Sequence, residues 1–226
     1  MVTANAEYRI KIGAWVKARL IANPDALKID AEGLDLFIIR DVLPPELCAD
    51  MIALVDKHLV PSGIMAPHPD PEYRTSYSGN PPPDHPLMVE VDRRIREVVG
   101  IQKELGETIQ GQRYAVGQQF KPHWDYFIPG EDYYAKTQEV GGQRTWTAMA
   151  FLNEPEAGGH TRFTEVGVSV RPRTGNLLIW NNLNAEGEPN QKSMHQGSPV
   201  EAGLKYVVTK WYRERTWSLL PDEPNF

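Results

Sequence analysis

Residues 121–127, KPHWDYF, place a histidine and a carboxylate two positions apart. In an extended strand, residues i and i+2 share a face, so His123 and Asp125 would point the same way and Trp124 the other way. Imidazole and carboxylate groups are both common ligands of divalent metals. Because a metal needs a further ligand from elsewhere in the chain, this triplet alone does not establish a metal site.

The third ligand is sought among the other five of the six histidines in the chain. His58 lies among charged residues in a predicted helix, and His68 and His85 lie in proline-rich segments. These three are interpreted as solvated surface residues. His160 follows a glycine pair in EAGGHTRF, which predicts a turn, whereas His195 lies in QKSMHQGSPV, which predicts a short strand followed by a turn. Both could reach a metal.

Lys205 favours His195, which precedes it by ten residues. It begins a predicted strand in which Val207, Thr209 and Trp211 share its face. Burying an unpaired ammonium costs several kcal/mol, so a lysine in an inward-facing row is expected to have an anionic partner. The sequence places no carboxylate of the chain for this role. The alternative is a lysine whose charged end reaches solvent at the strand end.

Two histidines and one carboxylate form the facial triad typical of non-haem Fe(II) oxygenases, which leaves coordination positions open. A co-substrate acid could take two of these positions and place its far carboxylate on Lys205, and O₂ could take the last. A zinc hydrolase that uses the same three ligands is an alternative, but it leaves Lys205 without a role.

The elements that would position these residues change in character near residue 107. Before it, residues 6–23, 43–59 and 84–100 have helical patterns, the third with Asp84 as its expected cap, and residues 34–42 predict a strand. The proline-rich segment 61–84 predicts a loop with a short strand at 74–77. After residue 107, short β-rich stretches separated by Gly, Pro and Asn predict a sandwich or barrel.

Residues 126–142 are too polar and aromatic for a strand and predict a loop beside the HWD triplet. The aromatic side chains of Tyr126, Phe127, Tyr133 and Tyr134 suit a lid over a site. Simple packing at the edge of the core is the other interpretation.

Length and composition favour a single α+β domain over residues 1–226, with a mainly helical support at 1–106 and a catalytic core at 107–215. The net charge of -6 argues against nucleic acid as the main partner. Cys48 is the single cysteine, so no disulfide framework is expected, and it is interpreted as a small apolar helix residue. No apolar segment predicts a signal peptide or a membrane span, and a cytoplasmic location is expected.

Four blocks of the chain resemble the prolyl 4-hydroxylase branch of the Fe(II)/2-oxoglutarate dioxygenases. They are RYAVGQQFKPHWDYF, GGQRTWTAMAFLNEPEAGGHTRF, VSVRPRTGNLLIW and SMHQGSPVEAGLKYVVTKWYR. They follow the family's order and spacing over about residues 107–215, and RTSYSG upstream is a weaker match. The resemblance implies a double-stranded β-helix, or jelly roll, with supporting helices. It also implies Fe(II), 2-oxoglutarate and O₂, with ascorbate as an activator.

The resemblance also implies residue roles. His123, Asp125 and His195 would bind iron, and Lys205 would pair with the C5 carboxylate of 2-oxoglutarate. Further positions match co-substrate contacts, Tyr114 and Thr161, and others match contacts to a bound peptide, Arg144, Trp211, Phe120 and Arg213.

Three departures from the family pattern concern the substrate rather than the iron ligands. Phe120 stands where the family often has Tyr, which removes a hydroxyl from the expected peptide groove. His160 replaces the Glu of the family's G-G-E-T turn and is therefore interpreted as a turn residue rather than a ligand. Tyr206 replaces the Trp that follows the lysine.

The expected activity is hydroxylation of a prolyl residue in a protein or peptide, as in procollagen-proline 4-dioxygenases. An oxygenase for a free amino acid or another small molecule is the alternative, and a non-catalytic binding module of the same fold is a further one. A nucleic-acid demethylase fits less well, because those enzymes typically carry arginine where this chain has Lys205.

Overall fold

Four helices and fourteen strands make up the computed structural model, which describes residues 4–65 and 68–217. The helices are α1 (Ala4–Ala22), α2 (Pro45–Asp56), α3 (Pro86–Val99) and α4 (Tyr134–Glu139). The strands are β1 (Ala26–Lys28), β2 (Leu36–Ile39), β3 (Leu59–Pro61), β4 (Tyr77–Gly79), β5 (Gln110–Tyr114), β6 (Phe120–His123), β7 (Arg144–Phe151), β8 (Ala157–Gly158), β9 (Thr161–Phe163), β10 (Val168–Val170), β11 (Leu177–Asn181), β12 (His195–Gly197), β13 (Val200–Ala202) and β14 (Lys205–Arg213).

Two antiparallel sheets form the β-rich part. The larger has eight strands in the order β1-β2-β11-β7-β14-β5-β4-β3, and the smaller has four in the order β10-β9-β12-β6. Strands β13 and β8 pair separately. This arrangement of two sheets is the one expected of a jelly roll.

The large sheet is buried on both faces, which the alternation along β11 shows. Leu177 and Ile179 pack into a core with the helices, whereas Leu178 and Trp180 pack into a second core that includes Phe163 of the smaller sheet. Because successive side chains of a strand point to opposite faces, one strand supplies both cores. The large sheet thus separates a helical layer from the smaller sheet.

Helices α2 and α3 both begin with proline in the first turn, where the missing N–H has no helical partner to lose. Helix α3 ends at Gly100, whose φ of 85° lies in the left-handed region that favours glycine. At its start the imidazole of His85 accepts a hydrogen bond from the Leu87 N–H. The expected cap, Asp84, was therefore wrong by one residue.

Several boundaries differ from the sequence-based expectations. The short strand expected at 74–77 is β4, Tyr77–Gly79, and Arg74 forms only an isolated bridge to Phe120. Segment 126–142, expected to be a loop, contains helix α4. Residues 1–106 also supply four strands of the large sheet, so this part is not only a helical support.

Within the described residues, none of the helices combines the length and apolar composition needed to cross a bilayer.

Candidate metal centre and active site

The three predicted ligands meet at the end of the smaller sheet. Strands β6 and β12 are antiparallel neighbours with His123 directly opposite His195, and Asp125 follows β6. The Nε2 atoms of His123 and His195 lie 3.9 and 3.8 Å from the carboxylate oxygens of Asp125. Ligands that share one ion at about 2.1 Å each can be no more than about 4 Å apart. The donor set and its spacing therefore fit a divalent metal.

Hydrogen bonds hold both imidazoles in the tautomer that a metal needs. Nδ1 of His123 lies 2.8 Å from the Lys121 carbonyl oxygen, and Nδ1 of His195 lies 2.9 Å from that of Ser193. A carbonyl oxygen only accepts, so each Nδ1 carries the proton and each Nε2 keeps a lone pair for the ion.

The third ligand is held by side chains of the large sheet. Thr147 on β7 donates a hydrogen bond of 2.8 Å to Oδ2 of Asp125, and Asn182 donates one of 2.9 Å to the Thr147 hydroxyl. Such contacts orient a ligating carboxylate before the metal arrives.

The charge state of the site also suits a metal. Burial, reinforced by His195, lowers the pKa of His123 to about 3, which keeps the imidazole neutral. Burial opposes the ionisation of Asp125, but the two imidazoles and Arg144 outweigh it and lower the pKa of the carboxyl. A metal thus meets a neutral His123 imidazole and an ionised Asp125 carboxylate, the forms of these groups that bind it.

Lys205 is only 2% exposed, and no carboxylate among the described residues forms an ion pair with it. Burial lowers the pKa of its ammonium to about 7. The hydroxyl of Thr161, which lines the same cavity, is buried without a hydrogen-bond partner in the described part of the chain. An unpaired cation and an unpaired hydroxyl in one cavity fit a carboxylate ligand such as the C5 end of 2-oxoglutarate.

Tyr114 lies directly opposite Lys205 in the pairing of β5 with β14, and the Lys205 Nζ is 5.2 Å from the centre of its ring. Its hydroxyl donates a 2.8 Å hydrogen bond to Gln112. Tyr114 is thus close enough to line the co-substrate region, and its predicted contact with 2-oxoglutarate stays a prediction.

A cavity of about 670 Å³ joins the metal ligands to Lys205. The face of β14 predicted from its alternation, Lys205, Val207, Thr209 and Trp211, lines one side of it. The predicted peptide contacts, Arg144, Trp211, Phe120 and Arg213, also line this cavity. The structure therefore brings all the predicted site residues to one place, while their individual roles stay predictions.

Two of the predicted peptide contacts share one acidic partner that the sequence did not reveal. Glu107 receives two hydrogen bonds from Arg144, of 2.6 and 2.7 Å, and lies 3.3 Å from Nε of Arg213. The Arg144 guanidinium also lies over the Trp211 ring, 4.1 Å from its centre. Burial lowers the pKa of Arg213 to about 10. Nothing around Glu107 in the sequence marks it for this position.

The other histidines lie outside the ligand cluster. His85 caps α3, and His160 contacts the Ser169 hydroxyl at 3.0 Å, in agreement with its interpretation as a turn residue. His68 is exposed, as expected, but it stacks on Tyr73 at 3.9 Å and lies on the rim of the cavity. Its neighbour Arg74 also lines the cavity, and only the weak match of RTSYSG to the family pointed there.

Comparison with known proteins agrees with this geometry. Residues 109–213 match the 2OG-Fe(II) oxygenase superfamily. The chain belongs to this superfamily. It is 32% identical to prolyl 4-hydroxylase subunit alpha-1 of Homo sapiens over 206 residues, which are 89% of this chain and 35% of that protein. Subunit alpha-1 of Gallus gallus is 35% identical over 133 residues, 58% of this chain and 25% of that protein. The prolyl 4-hydroxylase-like branch inferred from the sequence is thus confirmed, and the chain spans only about a third of the relatives' length.

Solved structures with the same fold include a viral collagen prolyl hydroxylase from Paramecium Bursaria Chlorella virus-1 in complex with 2OG. It has a TM-score of 0.64 and 24% identity, over 79% of this chain and 95% of that one. A prolyl hydroxylase from Trichoplax adhaerens, in complex with a hypoxia inducible factor peptide fragment, has a TM-score of 0.61 and 14% identity over 95% and 94% of the two chains. The predicted jelly-roll core of an α+β domain is therefore confirmed.

Proposed function

We propose that the protein hydroxylates a prolyl residue in a protein or peptide, with Fe(II), 2-oxoglutarate and O₂. The main support for this class of reaction is that one cavity contains two features. One is the cluster of His123, Asp125 and His195, and the other is the buried, unpaired ammonium of Lys205. Similarity to prolyl 4-hydroxylase subunits supports proline as the target.

In this proposal the cluster holds Fe(II) and Lys205 sets the orientation of 2-oxoglutarate. Its ammonium binds the far carboxylate by a charge-assisted hydrogen bond, with the Thr161 hydroxyl as a second donor. The loaded site supplies an oxidation in which 2-oxoglutarate becomes succinate and CO₂ while one oxygen atom enters a C–H bond of the substrate. The protein positions the reactants and excludes water from them.

The residues proposed to contact the substrate form a wall beside the metal cluster. The Phe120 ring stacks on the His123 ring with their centres 3.5 Å apart, and the Trp211 ring lies beneath Arg144. A proline ring packs well on such flat apolar surfaces. Since Phe120 lacks a hydroxyl, it contributes shape rather than a hydrogen bond.

The segment that follows the metal strand is proposed to cover the cavity. The side chain of Gln143 holds the start of this segment in place. It accepts a 2.6 Å hydrogen bond from the Phe127 N–H and donates one of 2.8 Å to the Phe127 carbonyl. Tyr126 and Phe127 are both buried. The fixed position of Phe127 and the presence of helix α4 support a lid that is attached at its start and closes over bound substrate.

Two further proposals have no support beyond the family resemblance and the sequence. Ascorbate would sustain the iron during repeated turnover, and the protein would act in the cytoplasm.

Mass spectrometry of a panel of proline-containing peptides tests the proposed function. A 2-oxoglutarate-dependent gain of one oxygen on proline is expected with the native protein and not with His195→Ala. Succinate formation without any oxidised peptide would instead favour a small-molecule substrate. Equal product from both proteins would contradict the assignment of the metal site.

A further inference from the structure

Arg74 lines the cavity and has no acidic partner among the residues that the structure describes. Its guanidinium donates to neutral acceptors only: the Gly63 carbonyl at 2.8 Å, the Gln110 side chain at 3.1 Å and two serine hydroxyls, those of Ser76 and Ser78, at 3.4 and 3.5 Å. Among the residues that the structure describes, no carboxylate forms an ion pair with it. An arginine keeps its charge at any physiological pH, so this cation has no paired counter-ion within the described part of the chain.

Arg74 lies near the reaction centre. Its guanidinium carbon is 4.6 Å from the centre of the Phe120 ring, and that ring stacks on His123 at 3.5 Å. One aromatic ring therefore separates the charge from an iron ligand.

The other charges of the cavity do not neutralise Arg74. Arg144 and Arg213 share the single carboxylate of Glu107, which leaves one further positive charge. Asp125 is used by the metal and Lys205 by the co-substrate. Two exposed residues on the outer rim, Glu131 and Lys136, have opposite signs. The substrate side of the cavity therefore has an excess of positive charge, although the whole chain is acidic.

We infer that the substrate carries a carboxylate that binds Arg74, an inference that rests on the proposed function. The planar guanidinium offers a fork of N–H donors that suits a carboxylate better than the hydroxyl and carbonyl acceptors it now contacts. An extended peptide advances about 3.3 Å per residue, so the carboxylate belongs to the target residue or to one of its nearest neighbours. An acidic side chain beside the target proline and the free carboxylate of a terminal or single proline share this chemistry.

Matched substrate pairs that differ only in this charge test the inference. One pair has Glu or Gln next to proline, a second ends in proline as the free acid or the amide, and a third is proline against prolinamide. For the native protein, we expect kcat/KM for an acid to exceed that for its amide by about tenfold or more, because hydrogen bonds between charged groups are the strong ones. The pair that shows the preference identifies the source of the carboxylate.

Variants then assign the preference to Arg74. In Arg74→Gln, kcat/KM for the acid should become nearly equal to kcat/KM for its amide. Arg74→Lys keeps the charge and should keep part of the preference for the acid. Arg171→Gln removes an exposed arginine outside the cavity and should behave as the native protein. If Arg74→Gln does not fold, as its thermal melt will show, Arg74→Lys decides the question: a reduced preference supports the inference and an undiminished one overturns it.

Equal turnover of acid and amide by the native protein would overturn the inference while leaving prolyl hydroxylation intact. An undiminished preference in Arg74→Gln would overturn it as well. If no member of the panel gains oxygen, the proposed function falls and the inference with it.

Discussion

The Thr147 hydroxyl and the Asp125 carboxylate are joined by a buried hydrogen bond of 2.8 Å that links the large sheet to the metal cluster of the smaller sheet. The amide of Asn182 donates to the same hydroxyl, so the Thr147 proton is directed at the carboxylate. One face of β7 thus fixes the one ligand that does not belong to a paired strand.

Replacing Thr147 with valine keeps the shape of the side chain and removes this hydrogen bond. Contacts of this kind are worth about 10–100-fold in metal affinity, so Thr147→Val should weaken Fe(II) binding by that factor. Anaerobic titration with Fe(II) in the presence of 2-oxoglutarate measures the effect.

Thr145 offers a matched control, because it is also a buried threonine of β7 but donates to the Tyr212 carbonyl. Thr145→Val should lose comparable stability and retain native Fe(II) affinity. Equal loss of Fe(II) affinity in both variants would show that Thr147 acts only through general stability.

The assignment of the third ligand is tested by the two histidines that the sequence left open. His195→Ala removes a ligand and should reduce conversion of 2-oxoglutarate to succinate by more than about 100-fold, beyond the loss expected for a residue that only orients a ligand. His160→Ala should remain close to the native rate, because His160 contacts Ser169 away from the cluster. If a succinate assay instead showed a large loss for His160→Ala and almost none for His195→Ala, His160 rather than His195 would be the third ligand.

Binding of 2-oxoglutarate should depend on pH through Lys205. Burial lowers the pKa of this ammonium from the ordinary 10.5 to about 7, so the free protein loses the proton as pH rises through about 7. A carboxylate needs the charged form, so binding above that pH must take up a proton. The Kd for 2-oxoglutarate should then rise up to about tenfold per pH unit above pH 7. Below pH 7 this dependence is absent.

Titrations with Mn(II) in place of Fe(II), between about pH 6 and pH 9, measure this dependence. Lys205→Arg keeps its charge over the whole range and should give a flat profile, and Lys205→Met should bind weakly at every pH. A flat profile in the native protein would show that the lysine stays charged without its ligand.

The lowered pKa of Lys205 also affects stability. The free protein should become more stable as pH rises from 7 towards 10.5, because in that range the lysine keeps its proton only in the unfolded state.

The sequence predicted the features that depend on local spacing. The i, i+2 rule correctly brought His123 and Asp125 together, although β6 ends at His123 and Asp125 lies just beyond it. The alternation of β14 placed Lys205 on the face that lines the cavity. The prolines at the starts of α2 and α3, and the glycine that follows α3, located these helices to within a few residues. Each of these signals spans only a short stretch of the chain, within one element or at its end, where local backbone geometry places the side chains.

Features that depend on distant pairing were missed. Glu107 and Arg144 are 37 positions apart. Arg74 lies beside the cavity through its isolated bridge to Phe120, which is also distant in the chain. Helix α4 has six residues, too few for a hydrophobic period to show. An ion pair between two distant segments leaves no local pattern in the sequence, and neither does a helix of only six residues.

The ion-pair cluster around Glu107 should be essential for stability. Burial opposes the charge of this carboxyl, but Arg144 and Arg213 outweigh it and hold its pKa below the ordinary range. Glu107→Gln would leave the buried Arg213 and the partly buried Arg144 without this counter-ion. Loss of one partner of a buried pair costs about 3–5 kcal/mol. Chemical denaturation at neutral pH should therefore show a large drop in the free energy of unfolding.

Glu90 supplies the control for this prediction, because it contacts Arg93 and Arg94 on the exposed face of α3. Solvent screens such pairs, so Glu90→Gln should unfold at nearly the native denaturant concentration. Lowering the pH should reproduce the effect of Glu107→Gln in the native protein. When the pH falls through the lowered pKa of Glu107, the carboxyl becomes protonated and its stabilising charge is lost. A Glu107→Gln protein as stable as the Glu90→Gln protein would mean that water hydrates the two arginines, or that a bound anion neutralises them.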